Sequence, residues 1–127
     1  MTVAEPRRDG RKRGRLSRSG DFDRAYRDGR SRSNRFLVLY AFPRSPDDGG
    51  EDVRLGISVG RKVGGAVERN KVKRAIREAF WALSEKLPER HDFVVVGRSD
   101  VSDLVERDGS TGVQASLAGL LEEAEAK

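Results

Sequence analysis

Between residues 66 and 86, apolar side chains recur at the three- and four-residue spacing of an amphipathic helix. At 100° per residue, the apolar positions fall within one arc: Val72, Ile76, Ala79, Phe80 and Leu83. The adjoining arc contains the polar positions Arg69, Asn70, Lys73, Arg74 and Arg77. The pattern predicts a helix of roughly 30 Å, at 1.5 Å per residue, with one face in a core and a dense positive face beside it.

Three shorter apolar segments predict β-strands. Residues 36–42 are apolar throughout, as in a strand covered on both faces, and residues 53–59 alternate as a half-buried strand does. Residues 93–96 form a third apolar run, which Gly97 ends. Residues 43–52 contain two prolines, two glycines and four acidic side chains, so we expect a loop that joins the first two strands as an antiparallel hairpin.

Two weaker patterns predict helices near the ends of the chain. In residues 19–27, Phe22 and Tyr26 share one face because they are four residues apart. Residues 111–125 again place apolar side chains on one helix face, whereas residues 98–109 are polar and predict a loop.

In the order α-β-β-α-β-α, these elements predict an α/β (α+β) sandwich, in which a small sheet packs with about three helices. We expect one domain over residues 15–127. Residues 1–14 are rich in arginine and glycine and lack periodicity, so they predict a disordered basic arm.

The charge distribution indicates what the positive helix face binds. The chain has a net charge of +5 and a pI of about 10.0, but residues 1–35 and 54–77 each carry +7, whereas residues 78–127 carry −6. Charged residues along a helix more often form a solvated face than a binding surface. That interpretation is weak here, because four cations have only Glu68 and Glu78 near them. The stripe therefore predicts binding to nucleic acid.

The sequence offers no active site of its own. It contains no cysteine, and its single histidine, His91, is interpreted as a surface residue, so no nucleophile–base pair and no transition-metal site is predicted. The carboxylates of residues 47–52 are interpreted as solvated loop residues. With no signal peptide or membrane-spanning run in the pattern, a cytoplasmic location is the expectation.

Two further motifs admit more than one interpretation. The segment 60–65 lies between a strand and a helix, but it matches neither a Walker A loop nor Gly-x-Gly-x-x-Gly, so we interpret it as a βα turn whose Arg61 and Lys62 can touch an RNA backbone. Phe22 and Tyr26 either cap the core or form a stacking platform for single-stranded nucleotides, and the residues alone leave these two readings about even.

The run Arg69-Asn70-Lys71-x-Lys73-Arg74-x-x-Arg77-Glu78, preceded by residues 56–64 and Ala66-Val67, resembles the signature of the bacterial ribonuclease P protein subunit. Pieces around residues 15–29, 34–36 and 92–96 match in the same order, so the resemblance covers roughly residues 15–121. It implies a ribosomal S5 domain 2-like fold with a mixed sheet and a left-handed βαβ crossover, although about 98% of such crossovers are right-handed.

The resemblance also implies a function. The family assists a catalytic RNA in the Mg²⁺-dependent endonucleolytic removal of the 5′ leader from precursor tRNA, and the RNA supplies the active site and holds the metal. Contacts with the catalytic RNA are implied for Arg69, Asn70, Lys71, Lys73, Arg74, Arg77, Arg61 and Lys62. Contacts with the leader are implied for Phe22, Tyr26, Arg35, Phe36, Val38 and Tyr40.

The chain departs from the family pattern at two positions. Lys71 stands where the signature commonly has arginine, which keeps the charge but loses the bidentate fork, and Tyr26 stands where phenylalanine is also frequent. A ribosomal-type structural RNA-binding protein is the alternative function. A protein-only nuclease is disfavoured because Asp, Glu and His residues are not clustered in the sequence.

Overall fold

The computed structural model describes residues 13–15, 30–43, 53–88 and 91–125 of the chain. The strands are β1 (Arg13–Arg15), β2 (Arg30–Ser33), β3 (Leu37–Pro43), β4 (Val53–Val59) and β5 (His91–Gly97). The helices are α1 (Ala66–Ala82), which a 3₁₀ turn over Ser84–Lys86 follows, and α2 (Val101–Glu125). This is the predicted mixed α/β architecture, with two helices in the described part of the chain.

The five strands form one mixed sheet in the order β1-β4-β5-β3-β2. Strands β1, β4 and β5 pair in parallel, whereas β5, β3 and β2 pair antiparallel. The predicted hairpin of β3 with β4 is therefore wrong, because β5 lies between them and β3 forms its hairpin with β2. The apolar run of β5 explains its central place, since Phe93, Val94 and Val95 are almost completely buried on both faces.

The main core lies between one face of the sheet and the two helices. Leu37, Leu39 and Phe93 contribute to it from the strands, and the fully buried Ile76 and Phe80 contribute from α1. The rings of Phe80 and Phe93 meet edge to face with centroids 5.4 Å apart. The apolar arc predicted for residues 66–86 is confirmed, because Val72, Ile76, Ala79, Phe80 and Leu83 are all buried.

Helix α2 begins ten residues earlier than the pattern of residues 111–125 predicts, so the loop expected over residues 98–109 is largely wrong. Val101 and Leu104 are buried in the core and extend the helix backwards. Gly109 has φ 63° and ψ −153° and kinks α2 at that point. Polar residues on both sides of this kink hide the helical period, which explains why the sequence does not show it.

Two predictions concern residues near the N-terminus. The helix expected at residues 19–27, together with Phe22 and Tyr26, lies outside the described residues. Most of the arm expected at residues 1–14 does so too, but Arg13 and Gly14 belong to β1 and pair with Val53 and Arg54 of β4. The backbone of these two residues extends the sheet beside β4.

Candidate nucleic-acid interface

The basic face of α1 is fixed by the burial of its opposite side. Val72, Ala75 and Ile76 are buried on one side of α1, so the polar residues on its other side face outward. Lys71, Arg74 and Arg77 are exposed with Asn70, while Arg69 and Lys73 lie half-buried at the edge of the core. The structure therefore brings six predicted contacts together on one helix. Around the helix axis, Arg74 lies between Lys73 and Lys71.

The start of α1 is set by two glycines and a carboxylate. Glu68 accepts a hydrogen bond from the backbone N–H of Gly65 at 3.1 Å. Gly64 has φ 155°, and a Cβ there would approach the Cβ of Glu68 to 2.9 Å. The turn before the helix is closed by the N–H of Val63, which donates to the carbonyl of Gly60 at 3.1 Å. The predicted βα turn is confirmed, and it holds Arg61 and Lys62 exposed beside the first turn of α1.

The exposed polar side chains of α1 are available to a partner. Within the described part of the chain, no hydrogen bond or ion pair engages the side chains of Asn70, Lys71, Arg74 and Arg77. Arg69 differs, because its Nε donates to the carbonyl of Gly65 at 3.4 Å. Three unpaired cations along one helix produce a strong positive potential, which suits a polyanion.

A second group of cations lies at one end of the sheet, and we name it the cationic rim: Arg35, Arg61, Lys62 and Arg98. The end of β4, the end of β5 and the start of β3 meet here, because Gly97 pairs with both Val59 and Leu37. All four rim side chains are exposed. The rim connects the two predicted contact sets, since Arg35 was assigned to the leader and Arg61 and Lys62 to the catalytic RNA.

Arg98 is the rim residue that the sequence reasoning missed. It directly follows β5, its N–H donates to the carbonyl of Phe36 at 2.8 Å, and its Nη1 donates to the carbonyl of Asn34 at 2.9 Å. Asn34 in turn accepts from the N–H groups of Phe36 and Leu37 and donates to Oγ of Ser116 at 2.7 Å. An arginine directly after a predicted strand is a signal that could have found it.

Arg35 is held more loosely than Arg98. Its Nε donates to Asp100 at 2.9 Å, but both side chains are well exposed, at 75% and 45%. An exposed pair of this kind contributes about 0–1 kcal/mol, so a phosphate can displace Asp100 at little cost.

The predicted leader contacts divide between the two faces of the sheet. Val38 and Tyr40 lie on the face away from the helices, where Tyr40 pairs with the fully buried Val94 and packs against it. Phe36 instead lies in the bend before β3 and packs against the main core. The structure therefore brings Val38 and Tyr40 together and separates Phe36 from them.

One ion pair lies on the same face as Tyr40. Arg54 of β4 donates to both oxygens of Asp92 in β5 at 2.8 and 2.6 Å. The Asp92 side chain is 4% exposed and that of Arg54 is 22% exposed. Such a bidentate pair fixes the register of β4 against β5. The adjacent His91, predicted to be a surface residue, is half-buried, and its ring stacks on Phe93 with centroids 5.8 Å apart.

The described residues contain neither a grouped set of metal ligands nor a helix that could span a membrane. No three His, Cys, Asp or Glu side chains among them are grouped as a metal ion would require. In the same residues, no helix has both the length and the apolarity that crossing a membrane demands.

The fold and its exposed cations define a class of protein. It is a small α/β protein with a basic helix and a group of cations at one end of its sheet, as in proteins that bind RNA. The comparisons with known proteins narrow this class. The family model described as Ribonuclease P matches residues 11–125. The ribonuclease P protein component of Bacillus pumilus is 35% identical over 104 residues, which cover 82% of this chain and 85% of that one. That of Streptococcus pyogenes serotype M5 is 46% identical over 90 residues, 71% of each chain.

Solved structures agree with this match. The RNase P protein of Staphylococcus aureus superposes with a TM-score of 0.73 at 37% identity, covering 87% of this chain and 94% of that one. The RNase P protein of Thermotoga maritima superposes with a TM-score of 0.73 at 35% identity, covering 86% and 96%.

The chain belongs to the bacterial ribonuclease P protein family. It is the protein subunit of a ribonucleoprotein endoribonuclease that processes tRNA and whose catalytic subunit is RNA. The resemblance read from residues 69–78 is confirmed.

Proposed function

We propose that α1 is the surface that binds the catalytic RNA, through Arg69, Asn70, Lys71, Lys73, Arg74 and Arg77, with Arg61 and Lys62 beside them. The observation that carries this proposal is that Lys71, Arg74 and Arg77 are exposed and engage no side-chain partner among the described residues. Each cation that neutralises a phosphate releases condensed counterions, so a row of them supplies affinity without base specificity.

The 5′ leader of precursor tRNA is the proposed ligand of a second surface. It includes Arg35, Val38 and Tyr40, with Phe22, Tyr26 and Phe36 from the family resemblance, and we add Arg98. The support is chemical: the cationic rim offers guanidinium groups to phosphates, and the face containing Tyr40 offers an aromatic ring to a base. The backbone N–H of Arg98 donates to the carbonyl of Phe36, and its guanidinium is positioned by one hydrogen bond, from Nη1 to the carbonyl of Asn34.

The remaining parts of the proposal follow from the family. The Mg²⁺ ions that the reaction needs are held mainly by the RNA, and the protein acts in the cytoplasm. The parallel β4–α1–β5 unit forms the left-handed crossover of the ribosomal S5 domain 2-like fold.

Reconstitution with a bacterial catalytic RNA tests this function. We expect the purified protein to restore cleavage of precursor tRNA at a low Mg²⁺ concentration, at which the RNA alone is nearly inactive. The reason is that cations on the protein offset phosphate repulsion that otherwise needs added metal. The readout is the appearance of mature tRNA 5′ ends. Binding without any gain in cleavage would instead support a structural RNA-binding protein.

A further inference from the structure

Val67 is an apolar side chain at the N-terminal end of the basic surface of α1. It is 70% exposed and is the only large hydrophobic side chain that is exposed among the residues that the structure describes. It lies in the first turn of α1, and residues three, four and seven positions later share its side of the helix. These neighbours are Asn70, Lys71 and Arg74, all of them exposed.

Val67 has no evident task in the folded protein. The core side of α1 is filled by other residues, and the helix start is held by Glu68 and Gly65. Valine also has a lower helix propensity than alanine, so its presence slightly weakens the first turn. A single exposed apolar side chain needs no explanation by itself. What distinguishes Val67 is its position beside an amide and two cations that have no partner in the described part of the chain.

We propose that Val67 packs against the sugar or base surface of the catalytic RNA while Lys71 and Arg74, about one and two turns further along α1, contact phosphates. This inference rests on the proposed role of α1. An RNA backbone alternates charged phosphates with less polar ribose, and the shallow minor groove of a helix exposes both. A branched aliphatic group followed on the same side of the helix by two cations matches that alternation. Its contact would favour one placement of α1 on the RNA, which attraction between charges alone does not specify.

The test separates apolar from ionic contact by salt dependence. We expect Val67→Ala to weaken binding to the catalytic RNA by about 3- to 10-fold, because two carbons lose their contact. We expect the slope of log K against log salt to stay that of the natural protein, because no counterion is involved. Lys71→Ala should instead reduce the slope by about 0.7–0.9.

Two control variants accompany the measurement. Val67→Thr keeps the branched shape and replaces one methyl group with a hydroxyl, so it should also weaken binding while the slope stays constant. Thr111→Ala removes two atoms from an exposed position of α2 and should leave binding unchanged. Melting temperatures of all variants should stay close to that of the natural protein, since neither position is buried.

The outcomes distinguish the inference from the proposed function. If Val67→Ala binds like the natural protein at every salt concentration while Lys71→Ala and Arg74→Ala weaken binding, only the inference about Val67 fails. A reduced slope for Val67→Ala also overturns it. If neither the valine nor the cation variants change the affinity, α1 is not the docking surface and the proposed function of this helix fails.

Discussion

At the scale of single residues, the cations of α1 differ in their surroundings. Arg74 and Arg77 project from the helix without a side-chain partner in the described part of the chain, whereas Arg69 is partly occupied by the carbonyl of Gly65. Lys71 carries a compact ammonium group instead of a planar guanidinium, so it binds a phosphate as a point charge. Arg74 and Arg77 are therefore the residues whose loss should be felt most.

The first prediction replaces both arginines. We expect Arg74→Ala with Arg77→Ala to weaken binding to the catalytic RNA and to reduce the log–log salt slope by about 0.7–0.9 for each lost phosphate contact. Titrations at several salt concentrations measure both quantities. The stability of the fold should hardly change, because both side chains are exposed. An unaltered slope would contradict direct phosphate contact.

At the scale of elements, two of the three glycines in α2, Gly109 and Gly119, lie in contrasting environments. Gly109 has φ 63° and ψ −153°, a conformation that other residues adopt only with strain. Gly119 lies inside the helix without a positive φ, and a Cβ added there would meet nothing within 4 Å. The two positions therefore respond oppositely to the same substitution.

We expect Gly109→Ala to lower the free energy of unfolding by about 1–3 kcal/mol, because the kink imposes strain on a Cβ. Gly119→Ala should raise it by about 0.5–1 kcal/mol, because alanine restricts the unfolded chain and favours the helix. Urea unfolding of the two variants provides the comparison, and each serves as the control of the other. Equal effects would mean that the kink is absent in solution.

Elements were predicted from the sequence where one period dominated. The burial pattern of α1 and the bounds of β4 followed directly, because apolar residues repeat there without interruption. Strand β2 was missed because its sequence, Arg-Ser-Arg-Ser, has no apolar residue and forms a sheet edge through backbone pairing with β3. The pairing of β5 between β3 and β4 could not be read either, since strand order depends on contacts between distant parts of the chain.

Part of the candidate site could likewise be predicted from the sequence, and part could not. The α1 cations were found because they occupy consecutive turns of one helix. Arg98 was missed because its role depends on the hydrogen bonds to Asn34 and Phe36, which lie more than sixty residues away in sequence.

At the scale of the whole molecule, the proposed contacts place two RNA chains on two surfaces. The basic face of α1, with Arg61 and Lys62 beside it, is assigned to the catalytic RNA, and Arg35, Arg98 and the face around Tyr40 are assigned to the leader. Because the core and the sheet itself lie between α1 and the face that contains Tyr40, substitutions on α1 should leave that face intact.

Phe22→Ala tests this separation. If Phe22 is part of the stacking platform, we expect a loss of affinity for precursor tRNA of about 1–3 kcal/mol for the stacked base. Affinity for tRNA without a leader, and for the catalytic RNA, should change little. Binding of the reconstituted holoenzyme to the two substrates provides the measurement. Equal weakening with both substrates would place Phe22 in the core.

The hydrogen bond from Asn34 to Ser116 joins residues 82 positions apart, and it has a consequence for the order of synthesis. The ribosome completes the residues of α1 well before Ser116, but the corner around Asn34 can be tethered only after Ser116 has been translated. Arg35 and Arg98 adjoin that corner, and it gains its last tether only when the C-terminal half of α2 has been translated. We therefore expect the corner that adjoins Arg35 and Arg98 to be fixed only late in synthesis, when Ser116 becomes available.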